Sequence, residues 1–203
     1  MNRKKLGIMG GTFDPIHNGH LATVEFVRKQ LGLEKVLFVP TYVAPHKIGG
    51  EFSPAQDRYK MTALAIKDNV YLELSDIELR REGVSYTYDT LVALKQQYGN
   101  EYELFFIIGA DSVVALDSWH RVREIMQICT FVAATRPGFA PVVENVIADF
   151  GTLGTKSILW VDTPEVNISS TEIRERVKHG YSINELVPKA VAEYIQQKDL
   201  YRR

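Results

Sequence analysis

Two histidines follow a pair of glycines in the segment GGTFDPIHNGH, which spans residues 10–20. His17 and His20 are three residues apart, so in a helix they lie on one face about one turn from each other. Imidazole N–H groups can donate to phosphate oxygens, and neutral imidazole can bind a metal ion. The segment therefore predicts a phosphate site, a metal site, or a helix start that one histidine caps while the other packs.

The glycine turn before these histidines favours the phosphate. Gly10, Gly11, Thr12 and Phe13 lie between an apolar run and a predicted helix. Glycine lets a ligand approach backbone N–H groups closely, and a helix N-terminus attracts anions. The spacing matches neither the dinucleotide-binding glycine pattern nor the phosphate loop that ends in Gly-Lys-Ser/Thr. We expect a phosphate turn of another kind.

A metal ion would need a third ligand beside the two imidazoles. Asp14 and His46 are the available candidates. The metalloprotease pattern, with histidines four apart and a glutamate between them, is absent. The metal remains an alternative, with weaker support than phosphate binding.

A second anion site is predicted in NISSTEIRER, residues 167–176. Ser169 and Glu172 have the spacing of a capping box, which predicts a helix start. The hydroxyls of Ser170 and Thr171, with Arg174 one turn further on, would suit a polyphosphate. An ordinary capped surface helix is the alternative. Two helix N-termini together would be able to clamp one nucleotide.

Strands and helices alternate along the chain, and this alternation places both segments. Strands are predicted for the short apolar runs 5–10, 35–40, 70–75, 103–109, 129–135 and 157–161. Helices are predicted at 18–30, after Ser53-Pro54 with Ser53 as cap, after a cap at Ser85 or Thr87, at 111–117, and near 169–179 and 188–198. The alternation predicts an α/β, Rossmann-like, doubly wound and mostly parallel sheet with helices on both faces. Ligands in such folds bind beyond the carboxyl ends of the strands.

Composition narrows the class of protein. The 203 residues are 45% hydrophobic and 24% charged, which predicts one domain over 1–203 with a C-terminal helical segment at about 169–200. A net charge of −1 argues against a general nucleic-acid binder. Cys129 is the only cysteine, so no intrachain disulfide is expected. No apolar run is long enough to span a bilayer, so we expect no membrane association and a cytoplasmic location.

The sequence motifs at these two helix starts together resemble those of the nucleotidyltransferase superfamily of adenylyl- and cytidylyltransferases. The whole chain resembles most closely the bacterial nicotinate mononucleotide adenylyltransferases. The matching segments follow the family order: GGTFDPIHNGH, APHK, REGVSYTYDTL, FFIIGADS with Trp119, RPGF and ISSTEIR. Two positions depart from the family pattern. Ala44 stands where proline is usual, and His120 stands where an aromatic residue is common.

The resemblance implies that ATP and nicotinate mononucleotide react to nicotinate adenine dinucleotide and pyrophosphate, in NAD biosynthesis. The attacking phosphate has a second pKa of about 6 and is largely dianionic at neutral pH, so no general base is required. Catalysis then consists of positioning and electrostatic stabilisation. Mg²⁺ is implied as cofactor, held mainly by ATP phosphates without a protein ligand that we can name. A homodimer is a further expectation.

Residue roles are implied by the same match. His17 and His20 would hold phosphates, with His20 nearer the α-phosphate, while Lys47 and Arg174 would balance the triphosphate and the leaving group. Residues implied in ATP binding are Gly10, Gly11, Thr12, Phe13, Gly109, Asp111, Ser112, Arg136, Ile168, Ser169, Ser170 and Thr171. Residues implied in binding the pyridine substrate are Tyr86, Thr87, Trp119 and His46, with Trp119 stacking on the ring.

Each role has a structural alternative. Trp119 is equally typical of a core residue, Lys47 of a solvated loop charge and Asp111 of a helix cap. Rival functions are an adenylyltransferase preferring nicotinamide mononucleotide or phosphopantetheine, a cytidylyltransferase, and a nucleotide-binding regulator without catalysis. A comparison of ATP with CTP, and of acid with amide substrate, separates the enzymes.

Overall fold

The computed structural model describes residues 3–45, 49–50, 52–99, 101–135, 138–164 and 166–202. Its strands are β1 (Lys4–Gly11), β2 (Lys35–Pro40), β3 (Leu72–Leu74), β4 (Tyr102–Ile108), β5 (Thr130–Thr135) and β6 (Ile158–Asp162). They form one sheet in the order β3-β2-β1-β4-β5-β6. The pairs β1·β4, β4·β5 and β5·β6 are parallel. This strand order is that of the Rossmann fold and confirms the predicted fold class.

Helices lie between the strands along the chain and after the last strand. They are α1 (Asn18–Leu31), α2 (Ala55–Ile66), α3 (Ile77–Arg81), α4 (Thr87–Tyr98), α5 (Ala110–Val114), α6 (Val122–Ile128), α7 (Ala140–Asp149), α8 (Gly151–Ser157), α9 (Ser170–Lys178) and α10 (Lys189–Gln197). A 3₁₀ turn at Leu116–Ser118 follows α5. None of the helices in the described residues is long and apolar enough to cross a membrane.

The chain divides into two compact units. The first comprises Met1–Gly10, Thr23–Leu37 and Tyr86–Glu165. In it, strand residues such as Leu6, Ile107 and Phe131 are fully buried, as the apolar runs of a parallel sheet require. We refer to it as the strand-rich unit.

The second unit comprises Gly11–Ala22, Phe38–Ser85 and Val166–Arg203. Its buried apolar side chains include Phe38 and Met61. This unit contains the turn after β1, the starts of α1 and α9, and the C-terminal helices.

Most predicted elements are confirmed within one or two residues, but two caps are wrong. The cap of α2 is Pro54 rather than Ser53, and no side chain caps that helix. The cap of α4 is Tyr86, whereas Thr87 is its first residue. Ser85 instead accepts a hydrogen bond from the Tyr42 N–H at 3.2 Å. Both caps were predicted from residue type alone. Contacts with distant residues determine the backbone conformation there, and with it the residue at which the helix begins.

Several helices were not predicted. They are α3, α6, α7 and α8. Three of them are only five to seven residues long, which leaves little periodicity to detect. The fourth, α7, has a proline at its first turn, a start signal that sequence analysis overlooked.

Candidate active site

The turn after β1 leads into α1 through a reciprocal pair of hydrogen bonds between two histidines. The His20 N–H donates to Nδ1 of His17 at 3.3 Å, and the His17 N–H donates to Nδ1 of His20 at 3.3 Å. The rings stack, with centroids 3.6 Å apart and planes inclined by 23°. This is a capping box built from imidazoles, since each side chain satisfies the amide of the other residue.

The hydrogen bonds fix the tautomer of both rings. Nδ1 accepts in each ring and carries no proton, so we infer that neutral imidazole is protonated on Nε2. The Nε2–H donor points away from the amide that Nδ1 binds. One edge of each ring therefore caps the helix while the other edge is a hydrogen-bond donor. Capping and phosphate binding, which the sequence posed as alternatives, are compatible.

Burial keeps both imidazoles neutral. His17 is 6% exposed, and burial lowers its pKa to about 4. Burial also lowers the pKa of His20 well below its ordinary value, with a smaller contribution from the neighbouring His17. A buried imidazole that is not charged still offers one N–H. At neutral pH the pair therefore presents two neutral donors rather than two cations.

The backbone amides at the start of α1 are already bonded within the protein. The Asn18 N–H donates to the Leu186 carbonyl at 2.9 Å, and Asn18 Nδ2 donates to the Glu185 carbonyl at 3.0 Å. With the His17 and His20 amides bound to imidazoles, three amides of this turn have protein acceptors. A phosphate here would therefore meet the imidazole donors rather than these three amides, whereas sequence analysis expected backbone N–H groups to contribute.

The His17 ring lies closely against Gly19, so a side chain there would have to displace the ring by a few tenths of an ångström. A Cβ at Gly19 would lie 3.0 Å from Nδ1 and 3.1 Å from Cε1 of His17. Gly11 similarly faces the Phe13 ring, 3.0 Å from a built Cβ. Phe13 packs edge-on to His20 at 5.3 Å. Sequence analysis missed Gly19, although its place between the two histidines was a signal.

Asp14 stabilises the same turn through hydrogen bonds of its buried carboxylate. It is 3% exposed, and its Oδ2 accepts the Ser53 N–H at 3.3 Å. Its Oδ1 accepts the Tyr201 hydroxyl at 2.7 Å. Because both carboxylate oxygens are engaged, the metal alternative that used Asp14 as a ligand is not supported. Within the described residues no group of three or more His, Cys, Asp or Glu is arranged to hold a metal ion.

The start of α9 is bonded to the turn after β1. Ser169 caps α9, and its side chain accepts the Glu172 N–H at 3.1 Å, as predicted. The Ser170 hydroxyl donates to the Pro15 carbonyl at 2.8 Å. Arg174 Nη1 donates to the Asp14 carbonyl at 2.9 Å, and its Nη2 donates to Thr171 Oγ1 at 3.2 Å. The structure thus brings the two predicted anion segments together.

A buried arginine that sequence analysis missed supports this turn. Arg58 is 2% exposed and its guanidinium donates to four backbone carbonyls, those of Thr12 at 2.8 Å, Thr41 at 2.6 Å, Tyr42 at 2.9 Å and Ser53 at 3.0 Å. Burial lowers its pKa, and the Asp14 charge partly offsets this. A cavity of about 430 Å³ borders Arg58, Thr12 and residues 42–44, 49–50 and 52–55. His46 and Lys47 fall outside the described residues.

In the strand-rich unit, the predicted adenosine residues follow β4. Gly109 is the cap residue of α5, and Asp111 and Ser112 lie in its first turn. Asp111 is exposed and does not cap the helix, so the capping alternative for it is wrong. The carboxyl end of a parallel strand is where ligands of this fold bind. Arg136, predicted near ATP, lies outside the described residues.

Two of the predicted pyridine-binding residues, Tyr86 and Trp119, make aromatic contacts in the same unit. Trp119 packs edge-on against Phe106 and Phe131, with centroids 6.1 and 5.9 Å away. It remains partly exposed, so it is anchored by the core without being enclosed in it. Tyr86 contacts His120 with ring centroids 4.7 Å apart. His120, one of the two departures from the family pattern, thus retains an aromatic contact.

Comparison with known proteins shows the family to which the chain belongs. A family model described as cytidylyltransferase-like matches residues 8–176. A "Probable nicotinate-nucleotide adenylyltransferase" of Desulfitobacterium hafniense is 44% identical over 201 residues, covering 98% of this chain and 96% of the relative. One of Thermoanaerobacter, with the same name, is 46% identical over 200 residues, covering 98% and 95%.

A solved structure has the same fold. It is the Plasmodium falciparum nicotinic acid mononucleotide adenylyltransferase complexed with NaAD, which superposes with a TM-score of 0.80 at 22% identity over 98% of both chains. The bacterial relatives are similar enough to show more than the fold. The chain belongs to the cytidylyltransferase-like family and, within it, to the nicotinate-nucleotide adenylyltransferases.

Proposed function

We propose that this protein transfers the adenylyl group of ATP to nicotinate mononucleotide, a step of NAD biosynthesis. A phosphate oxygen of the mononucleotide attacks the α-phosphorus of ATP, and the bond from that phosphorus to the pyrophosphate oxygen breaks. Nicotinate adenine dinucleotide and pyrophosphate are the products. The attacking oxygen is already ionised at neutral pH, so the protein must mainly position two polyanions and stabilise moving charge.

The observation that carries this proposal is the pair of Nε2–H donors at the turn after β1. Their Nδ1 atoms are held by backbone amides, so the donors are fixed before substrate arrives. Preorganised donors stabilise developing phosphate charge without reorganisation during the reaction. We assign His20 to the α-phosphate and His17 to the neighbouring phosphates.

The remaining roles extend this assignment. Arg174, with Lys47, is proposed to balance charge on the triphosphate and leaving pyrophosphate. Gly10–Phe13, Gly109, Asp111, Ser112, Arg136 and the segment 168–171 are proposed to contact ATP. Tyr86, Thr87, Trp119 and His46 are proposed to bind nicotinate mononucleotide. The partly exposed indole of Trp119 supports stacking on the pyridine ring.

The setting of the reaction is part of the proposal. A divalent metal, which we propose to be Mg²⁺, would neutralise phosphate oxygens of ATP. The residues present suit a metal held mainly by those oxygens, because Asp14 already accepts two hydrogen bonds. We propose the cytoplasm as location, a single domain over the whole chain, and a homodimer as the assembly.

The test is pyrophosphate release from ATP and Mg²⁺. Nicotinate and nicotinamide mononucleotide are compared side by side, and CTP replaces ATP in a parallel series. We expect strong preference for the acid and for ATP. A site with donors set for the carboxylate rejects the neutral amide, since those donors would be left unpaired.

Each outcome of this experiment tests a different part of the proposed function. Equal use of acid and amide would contradict the assignment of Tyr86 and Thr87 to carboxylate recognition while leaving adenylyl transfer intact. Preference for CTP would make the protein a cytidylyltransferase. Activity with neither mononucleotide would overturn the proposed function.

A further inference from the structure

A chain of hydrogen bonds joins the segment after α10 to the turn after β1. The Tyr201 hydroxyl donates to Asp14 Oδ1 at 2.7 Å, a contact between residues 187 positions apart. The backbone carbonyl of Asp14 accepts Nη1 of Arg174 at 2.9 Å. Tyr201 and Arg174 therefore hold one residue from two sides, one through its side chain and the other through its backbone.

The hydrogen bond from Tyr201 to Asp14 is important because the Asp14 carboxylate is buried. Asp14 is 3% exposed, and a buried carboxylate that loses a donor is left with a desolvated oxygen. Burial, reinforced by the Asp14 charge, raises the pKa of Tyr201. The hydroxyl therefore stays protonated at any physiological pH and remains a donor. Its oxygen also lies 3.9 Å from Sδ of Met61, on the buried face of α2.

The backbone at Tyr201 is held in an unfavourable conformation. Its φ is 64°, in the left-handed region that disfavours side chains with a Cβ. Such residues persist where tertiary contacts determine the position of the side chain. The Asp14 and Met61 contacts are the ones that do so here.

We propose that Tyr201 is a positioning residue for adenylyl transfer, fixing Asp14 so that the Asp14 carbonyl holds the Arg174 guanidinium in place. The inference rests on the proposed function, in which Arg174 acts on ATP phosphates. Tyr201 itself contacts no reacting group. Loss of its hydroxyl should loosen the Asp14 peptide and, through it, one of the two bonds that orient Arg174.

The test compares two tyrosines with the same chemistry. Tyr194 of α10 donates to Asp57 Oδ1 at 2.7 Å, but Asp57 lies in the first turn of α2 and, among the described residues, bonds to neither Arg174 nor Asp14. We expect Tyr201→Phe to lower kcat roughly tenfold, the scale of one charge-assisted hydrogen bond, with little change in KM for ATP. Tyr194→Phe should leave kcat at the wild-type value, while both substitutions should lower the temperature of thermal denaturation.

A double-mutant cycle separates positioning from general loosening. In an Arg174→Ala background, Tyr201→Phe should have little further effect on kcat, because the group that it positions is gone. Tyr194→Phe should be as silent there as in the wild type. Additive losses for Tyr201→Phe and Arg174→Ala would overturn the proposal, as would a kcat for Tyr201→Phe equal to that of Tyr194→Phe.

A second variant keeps the proposal falsifiable if Tyr201→Phe does not fold. Asp14→Asn keeps the backbone carbonyl and one acceptor oxygen for the Tyr201 hydroxyl, and it weakens that bond from charged to neutral, while an NH2 group replaces the oxygen that accepts the Ser53 N–H. We expect a smaller fall in kcat that is again coupled to Arg174, and unchanged or uncoupled kcat would overturn the inference. Failure of the proposed function looks different, because the wild-type protein itself would then release no pyrophosphate.

Discussion

The starts of α1 and α9 solve the same backbone problem with different residues. Both must satisfy amides that have no partner within the helix. At α1, two imidazoles bond each other's amides and keep their Nε2 edges as donors. At α9, the Ser169 hydroxyl accepts the Glu172 N–H and has no second edge of this kind. A cap made from a larger side chain can therefore carry chemistry as well.

The difference extends to the residues that follow each cap. Beyond Ser169, Ser170 and Arg174 donate to the carbonyls of Pro15 and Asp14. The α9 start therefore supports the turn that carries the imidazoles. We expect substitutions at α1 to affect the reaction most, and those at α9 to affect it in proportion to their contact with that turn.

The largest effect is expected at His20. His20→Ala should lower kcat about 10²–10³-fold, the usual loss when a preorganised donor to a developing charge is removed. His20→Gln is the matched control, since glutamine in this position can still accept the His17 N–H as in an ordinary capping box. Steady-state kinetics and urea unfolding should show a stable His20→Gln protein that remains at least about tenfold slower than wild type.

Recovery of wild-type turnover in His20→Gln would contradict the comparison. The imidazole would then serve only as a cap, like Ser169. Unfolding of both variants would mean that the stacked pair is mainly structural.

The next effect concerns stability and pH. Burial lowers the pKa of His17 to about 4, below its ordinary value of 6.5. The unfolded chain then binds more protons than the folded one between these values, so stability is fully present above about pH 6.5 and is lost as the pH falls toward 4. The slope should approach roughly 1.4 kcal/mol per pH unit for each histidine that is neutral in the folded protein and protonated in the unfolded chain.

Urea unfolding between pH 7.5 and 4.5 measures this slope, within roughly the range where histidine titrates. A variant with His17→Asn and His20→Gln keeps acceptors for both amides but lacks the buried imidazoles. Its unfolding free energy should depend less steeply on pH than that of the wild type. Equal slopes would show that the two rings are protonated as readily in the folded protein as in the unfolded chain.

Arg174→Lys tests the link between the two helix starts. Lysine cannot reproduce the fork that bonds both the Asp14 carbonyl and Thr171, so kcat/KM for ATP should fall by about tenfold. Arg176→Lys is the control on the same helix, because Arg176 makes an exposed ion pair with Glu172 at 3.0 Å. Equal effects of the two substitutions would remove Arg174 from the proposed mechanism.

Local sequence signals predicted much of this arrangement. The start of α1 at Asn18 and the Ser169–Glu172 cap were both predicted, because such signals act over three or four residues. Neither required knowledge of the fold. The parallel sheet was likewise predicted without knowledge of the fold, from the alternation of strands and helices along the chain.

What sequence reasoning missed depends on contacts between distant segments. The bond from Tyr201 to Asp14 spans 187 positions and has no local signature. Arg58 could have been suspected, because helical spacing puts it on the face of Met61 and Ile66, where a charge needs buried acceptors. The backbone carbonyls that it binds could not have been named without the fold.

The smallest effect is expected at the α9 cap itself. Ser169→Ala should lower the free energy of unfolding by about 1 kcal/mol, the usual cost of a lost helix cap. Its effect on kcat should be smaller than that of Ser170→Ala, because Ser170, unlike Ser169, donates to the turn after β1, at the Pro15 carbonyl. Urea unfolding and kcat measured on both variants separate the two roles. If Ser169→Ala slowed the reaction as much as Ser170→Ala, the ATP contact proposed for Ser169 would involve its hydroxyl rather than its backbone, and the two helix starts would be alike in function despite their different capping residues.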